Sequence, residues 1–175
     1  LHKFNVLGFR PNLVQGEAIR INPLVVSGFN ADFDGDTMGV HVPITEESRK
    51  EVLEKMLPSR NLFSPANDRV VNQPTMEMIL GLYLMSKPVG APKKAASTGD
   101  IVREYMAKKT QINTAYLVGG KTVCPGQVIL NSALPAYVRF EGPMTKKVMT
   151  STIETVARRD PKLAPDVLNK LKDLG

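Results

Sequence analysis

The sequence predicts an α+β chain, and three observations carry that prediction. Residues 1–43 hold short β-prone pieces cut by proline and glycine: Val6 to Phe9, Ala18 to Ile21 and Leu24 to Val26, broken by Pro11, Gly16 and Pro23. Beyond residue 44, apolar residues recur at helical spacing between helix start and stop signals. Within the first region lies Asn30-Ala31-Asp32-Phe33-Asp34-Gly35-Asp36, an acidic stretch between the apolar runs around Val25 and Val40.

The elements follow in order. Val40-His41-Val42 continues the β-prone region after the acidic stretch. Thr45 then caps a helix with Glu46 and Glu47 in its first turn, where the helix dipole favours acidic groups. Val52, Leu53, Met56 and Leu57 form its core-facing stripe, and Pro58 stops it. Residues 59–74 read as a loop. Thr75 caps a second helix, Met76 to Ser86, apolar on most sides and therefore expected to be buried. Residues 87–99, with two prolines and two glycines, read as a linker. Gly99 to Lys109 is a short basic helix; Gln111 to Val118 and Lys121 to Leu130 form a hairpin around Gly119-Gly120. Thr145 opens a helix to Arg159, and Pro165 opens the last, with Gly175 as its stop. The expected domains are residues 1–88 and 89–175.

The acidic stretch carries the chemistry. In an extended strand Asp32, Asp34 and Asp36 share a face, about 6.6 Å apart. Magnesium holds its oxygens at about 2.0–2.1 Å, so ligands on one ion must crowd closer than a strand allows. The stretch must curl, and Gly35 supplies the freedom. Three carboxylates drawn together repel unless a cation sits among them. A solvated acidic turn is the plain alternative, but three aspartates in register between apolar runs favour a hard-metal site. An EF-hand would need Gly at its sixth position and Glu at its twelfth, where this chain has Thr37 and Pro43. No His or Cys stands in ligand register, which argues against zinc. Magnesium shared with substrate phosphates suits an all-carboxylate set with open positions.

Composition is ordinary for a globular protein. No apolar run approaches a membrane span, and no signal peptide is visible. The lone Cys124 excludes an internal disulfide and fits a structural thiol in a reducing compartment. The net charge of +6 is uneven: residues 1–86 hold 8 Lys+Arg against 10 Asp+Glu, residues 87–175 hold 15 against 7. The basic half favours a polyanionic partner. With 6% aromatic residues and no Trp, a base-stacking platform is disfavoured.

Asn30 to Asp36, followed by Thr37-Met38-Gly39-Val40-His41-Val42-Pro43, closely resembles the signature of the largest subunit of multisubunit DNA-dependent RNA polymerases, the bacterial beta-prime type above all. Leu1-His2-Lys3, Asn61 to Asn67, Leu80-Gly81-Leu82-Tyr83 and Asn131-Ser132-Ala133-Leu134-Pro135 resemble further family segments in family order. Thr37 and Gly39 stand where the family has Gln and Ala, and Thr75-Met76-Glu77 where it has Ser-Gln-Asp. Methionine cannot donate the amide hydrogen bonds of that glutamine.

The resemblance implies an internal fragment comprising the closing part of a double-psi β-barrel with its acidic metal loop, then a mixed helix and hairpin domain of the pore, or secondary-channel, type. It implies nucleotidyl transfer from a nucleoside triphosphate to an RNA 3′-hydroxyl. Asp32, Asp34 and Asp36 would hold one Mg2+, and a second would arrive with the triphosphate. For Asn30 a contact to the ribose hydroxyls and a turn-stabilising role both stand. Lys3 is a candidate nucleic-acid contact. Implied partners are the second large, beta-type subunit, alpha-type and small subunits, an initiation factor, template DNA, RNA transcript and NTP, in the cytoplasm, at the nucleoid or in an organelle. His41, in its apolar run, reads as structural. Two other classes compete: a magnesium phosphatase or sugar-nucleotide transferase using Asp-x-Asp, and a nucleic-acid-binding module with a purely structural acidic loop.

Overall fold

A computed structural model of the chain describes residues 4–175. Lys3 and His2 therefore lie outside the described residues. The chain divides between Gln73 and Pro74 into two compact units. The boundary expected near residue 88 falls inside the second.

In the first unit Pro23–Val25 forms a 3-10 turn, started by the Asn22 carboxamide oxygen accepting the Leu24 N–H at 3.1 Å. It runs into α1, Val26–Phe29. Helix α2, Glu46–Glu51, is capped by the Thr45 hydroxyl, which accepts the Ser48 N–H at 3.2 Å. It widens into a π turn over Val52–Met56 and ends at Leu57, the residue that Pro58 keeps out of helical geometry. Val52 and Met56 close over Gly8, whose N–H donates to the Met56 carbonyl at 2.8 Å, while Leu53 faces outward.

The strands expected at Val6 to Phe9, Ala18 to Ile21, Leu24 to Val26 and Val40 to Val42 do not form. Among the described residues up to Gln73, the β pairing is a single isolated bridge, Phe63 to Val70. A strand exists only with a partner to take its backbone hydrogen bonds, and this stretch of chain brings none alongside. Val6, Val40, Val42 and Ile44 are left exposed, the last three alternating as one face of an extended segment would.

The second unit is mixed α and β. Its sheet has the order β1-β2-β3, from Val89–Lys94, Thr114–Val118 and Lys121–Val123. Strands β2 and β3 are the expected hairpin, turned by Gly119 and Gly120 at φ 56° and 80°, the signs a two-residue I′ turn requires. The second arm is shorter than expected, because Cys124 and Pro125 start a helix. The segment read as a linker is strand β1, parallel to β2. Pro92 is tolerated there because β1 is an edge and its register slips between Val89 and Lys93.

Five helices complete the unit: α3 (Glu77–Ser86), α4 (Thr98–Met106), α5 (Pro125–Ala133), α6 (Lys146–Arg159) and α7 (Ala164–Leu174). The Thr145 hydroxyl accepts the Val148 N–H at the start of α6, as expected. Thr75 does not cap α3. The backbone turns one residue later, at Met76 with φ 51°, and no side chain caps the helix. Helix α3 is also buried on one side only: Leu82 and Met85 are buried, Leu80 and Leu84 exposed. Leu82, Ile101, Leu130, Met144, Met149, Ile153 and Leu171 form the core with Tyr116, whose hydroxyl donates to Glu104 at 2.6 Å. Cys124 is buried and its S–H donates to the Met85 carbonyl at 3.3 Å; burial pushes its thiol up, as befits a structural group. Among the described residues no helix is long and apolar enough to cross a membrane.

One buried hydroxyl joins α3 to the start of α6. Ser86 Oγ donates to the Leu82 carbonyl at 2.6 Å and accepts the Met144 N–H at 2.7 Å. Ser86→Ala leaves that amide unpaired in the core, so a loss of about 1–3 kcal/mol is expected in urea unfolding. An unchanged midpoint would show that the amide finds another partner.

Candidate metal centre

The acidic loop grows out of α1. Asn30 closes that helix in the left-handed conformation, φ 50° and ψ 41°, which asparagine adopts at less cost than most residues. This is a turn role for its backbone, and its side chain stays exposed. The Ala31 N–H returns to the Val26 carbonyl at 3.2 Å, and the chain then leaves the helix at Asp32. Gly35, at φ 126°, supplies the reversal that the curled loop needs, and a Cβ there would meet only open space.

The curl brings the three expected carboxylates together. One oxygen from each of Asp32, Asp34 and Asp36 lies within 4.8 Å of the others, and all three residues are exposed. Backbone amides thread between them: the Asp32 N–H donates to Asp36 Oδ2 at 3.0 Å and the Asp34 N–H to Asp32 Oδ1 at 3.5 Å. Hydrogen bonding with the Asp34 side chain is the main cause that pushes the Asp32 carboxyl above its ordinary value, and the charge of Asp34 adds to it.

The donor set fits a hard divalent cation. Ligands at 2.0–2.1 Å in an octahedron stand about 2.9 Å apart along an edge and about 4.1 Å across it. Oxygens within 4.8 Å reach those spacings by small side-chain rotations. Oxygen-only ligands on an exposed loop also leave positions open for a second molecule's oxygens.

His41, read as a structural histidine, lies exposed in the irregular segment after the loop. Asp68, in the loop after α2, adopts φ 52° and is no part of the acidic group. The residues that root the loop, Ser27 and Gly28, carried no sequence signal. Their contacts reach residues far along the chain, whereas the aspartate spacing is visible locally.

Comparison with known proteins places the chain in two steps. The family model described as RNA polymerase Rpb1, domain 2, matches residues 1–57, which hold the acidic loop and α2. Over its whole length the chain is 38% identical to the DNA-directed RNA polymerase subunit beta′ of Treponema pallidum and 36% to that of Nitratiruptor sp., covering 13% and 12% of those proteins. It is 32% identical to that of Kineococcus radiotolerans, covering 16% of it. Over its whole length the chain is thus similar to bacterial RNA polymerase beta-prime subunits. It spans about 13% of the length of the curated relatives it matches.

Proposed function

We propose that this chain is the magnesium-holding catalytic segment of a DNA-directed RNA polymerase, acting in nucleotidyl transfer from NTP to the RNA 3′-hydroxyl within an assembled multisubunit enzyme. The observation that carries the reading is the convergence of Asp32, Asp34 and Asp36 on one small volume, in a chain whose relatives are beta-prime subunits.

Each residue has a role in this reading. Asp32, Asp34 and Asp36 are the ligands of one Mg2+, and their exposure leaves room for a primer terminus and a triphosphate bringing a second ion. Bound Mg2+ would stabilise charge on the attacking and leaving oxygens and favour ionisation of the 3′-hydroxyl. The Asn30 amide can both donate to and accept from ribose hydroxyls, a contact that distinguishes RNA from DNA. Lys3 contributes positive charge toward nucleic acid.

Residues 1–43 act as the closing part of a double-psi β-barrel whose other strands come from elsewhere in the polymerase. The exposed alternating face of Val40, Val42 and Ile44 supports this, since an extended apolar segment needs a sheet to cover it. The excess of Lys and Arg in residues 87–175 supports a pore-type domain facing polyanions at the secondary channel. The partners are the beta-type, alpha-type and small subunits, an initiation factor, DNA and RNA, and the setting is the cytoplasm.

Metal binding tests the reading. Mn2+ titrated onto an assembled polymerase carrying this segment, and displaced by Mg2+, is expected to show a tight site that Asp32→Asn or Asp36→Asn abolishes and Asp68→Asn retains. A site that survives replacement of all three loop aspartates overturns the reading. The isolated chain is expected to be inactive. Most of the electrostatic clamping on a triphosphate must come from groups outside it. Template-directed extension by the purified chain alone would contradict this.

A further inference from the structure

We propose that Ser27 is a positioning residue for the cation-holding loop, an inference that rests on the magnesium reading of Asp32, Asp34 and Asp36. The loop has little to hold it except its root. Its three carboxylates are exposed, Phe33 is 76% exposed, and Gly35 faces open space. Its internal hydrogen bonds join it only to itself.

The root, in contrast, is tied down. The Ser27 hydroxyl donates to the Val71 carbonyl at 2.9 Å, across 44 residues of sequence. Val71 is 1% exposed, so the acceptor stands on a packed residue. The next residue is held from the other side: the Gly28 carbonyl accepts the Phe4 N–H at 2.9 Å. A Cβ on Gly28 would lie 2.7 Å from the Phe4 ring and 3.4 Å from Val71. The Asn30 and Ala31 amides both return to the Val26 carbonyl, so Val26 to Ala31 is one closed turn that moves as a unit. Asp32 follows it directly. A shift of α1 is therefore delivered to Asp32, with nothing in the exposed loop to absorb it before the carboxylate.

The Ser27 bond fixes the turn from which the loop departs, and with it the point at which Asp32 begins the ligand set. Its loss leaves the ligands in place chemically but spreads their positions, which weakens cation binding without removing the site.

The test is Mn2+ binding followed by electron paramagnetic resonance, without nucleotide, in an assembled polymerase carrying this segment. Ser27→Ala is expected to weaken binding about threefold to tenfold. Ser27→Thr keeps the hydroxyl and should stay within about twofold of wild type. In extension assays, the Mg2+ concentration for half-maximal rate should rise with Ser27→Ala by the same factor, with the rate at saturating Mg2+ nearly unchanged. Ser86→Ala, in the other compact unit, controls for general destabilisation and should leave Mn2+ affinity untouched. Wild-type affinity in Ser27→Ala, alongside lost binding in Asp34→Asn, overturns the positioning role and leaves the magnesium reading standing. Equal weakening by Thr and Ala removes the hydroxyl from the explanation. Wild-type affinity in all three of Asp32→Asn, Asp34→Asn and Asp36→Asn ends the magnesium reading, and the positioning role with it.

Discussion

Replacing Asp34 by Asn in an assembled polymerase carrying this segment is expected to abolish RNA extension while leaving assembly and template binding intact. Asparagine keeps the shape of aspartate and removes its charge. Asp34 is exposed in the loop and has no place in the core, so packing is not at risk. On the proposed magnesium reading, what is lost is one of three anionic ligands, and with it the charge stabilisation that a held cation would give the attacking oxygen. A fall of about a thousandfold or more in rate corresponds to several kcal/mol of transition-state stabilisation. Without metal the variant should be no less stable than wild type, because three carboxylates held close together become two. Extension rate against Mg2+ concentration is the measurement, with Asp32→Asn and Asp36→Asn expected to behave alike. Asp68→Asn should change little, since Asn tolerates the φ of 52° at that position. Near-normal rates in any one loop variant would remove that residue from the ligand set; near-normal rates in all three would end the polymerase reading.

The second large effect is expected at Gly126, in the first turn of α5. A Cβ there would lie 1.9 Å from the Met85 carbonyl oxygen and 2.6 Å from its carbon. Both are backbone atoms at the end of α3, so no side chain can swing aside. The Gly126 N–H is also committed to the Ile112 carbonyl at 2.8 Å, and Cys124 donates to the same Met85 carbonyl. Gly126→Ala must push α5 off α3 across the core of the second unit. A cost of about 3 kcal/mol, the upper part of the overpacking range, is expected. That is a large share of the 5–15 kcal/mol that about a domain's whole stability amounts to. Urea unfolding of the chain checks it, with Gly99→Ala as control. At Gly99 the nearest atom to a new Cβ is Ser97 Oγ at 3.6 Å, and alanine in a helix should cost nothing or help. Equal midpoints for the two variants would show that the helices do not approach as closely as described.

Features settled within a few residues were legible in the sequence. The hydroxyl caps of Thr45 and Thr145 act three residues ahead, and the Gly119-Gly120 turn joins residues already adjacent. The acidic loop was legible for the same reason: Asp32, Asp34 and Asp36 converge within a few residues, helped by the positive φ of Gly35. The family was legible too, because its signature spans a continuous run of residues.

Tertiary structure decided the rest, wherever a group's partner lies far along the chain. Val89 to Lys94 has the composition of a linker and becomes a strand because Thr114 to Val118 accepts it. Val6 to Phe9 and Val40 to Val42 have the composition of strands and remain unpaired, since backbone hydrogen bonding, not β-propensity, makes a strand. Gly126 looks like any glycine after a proline until the Met85 carbonyl is placed against it, and Ser27 like any helix serine until Val71 is. Local spacing thus determined which atoms can meet a cation, while contacts between residues dozens apart determined how firmly those atoms are held.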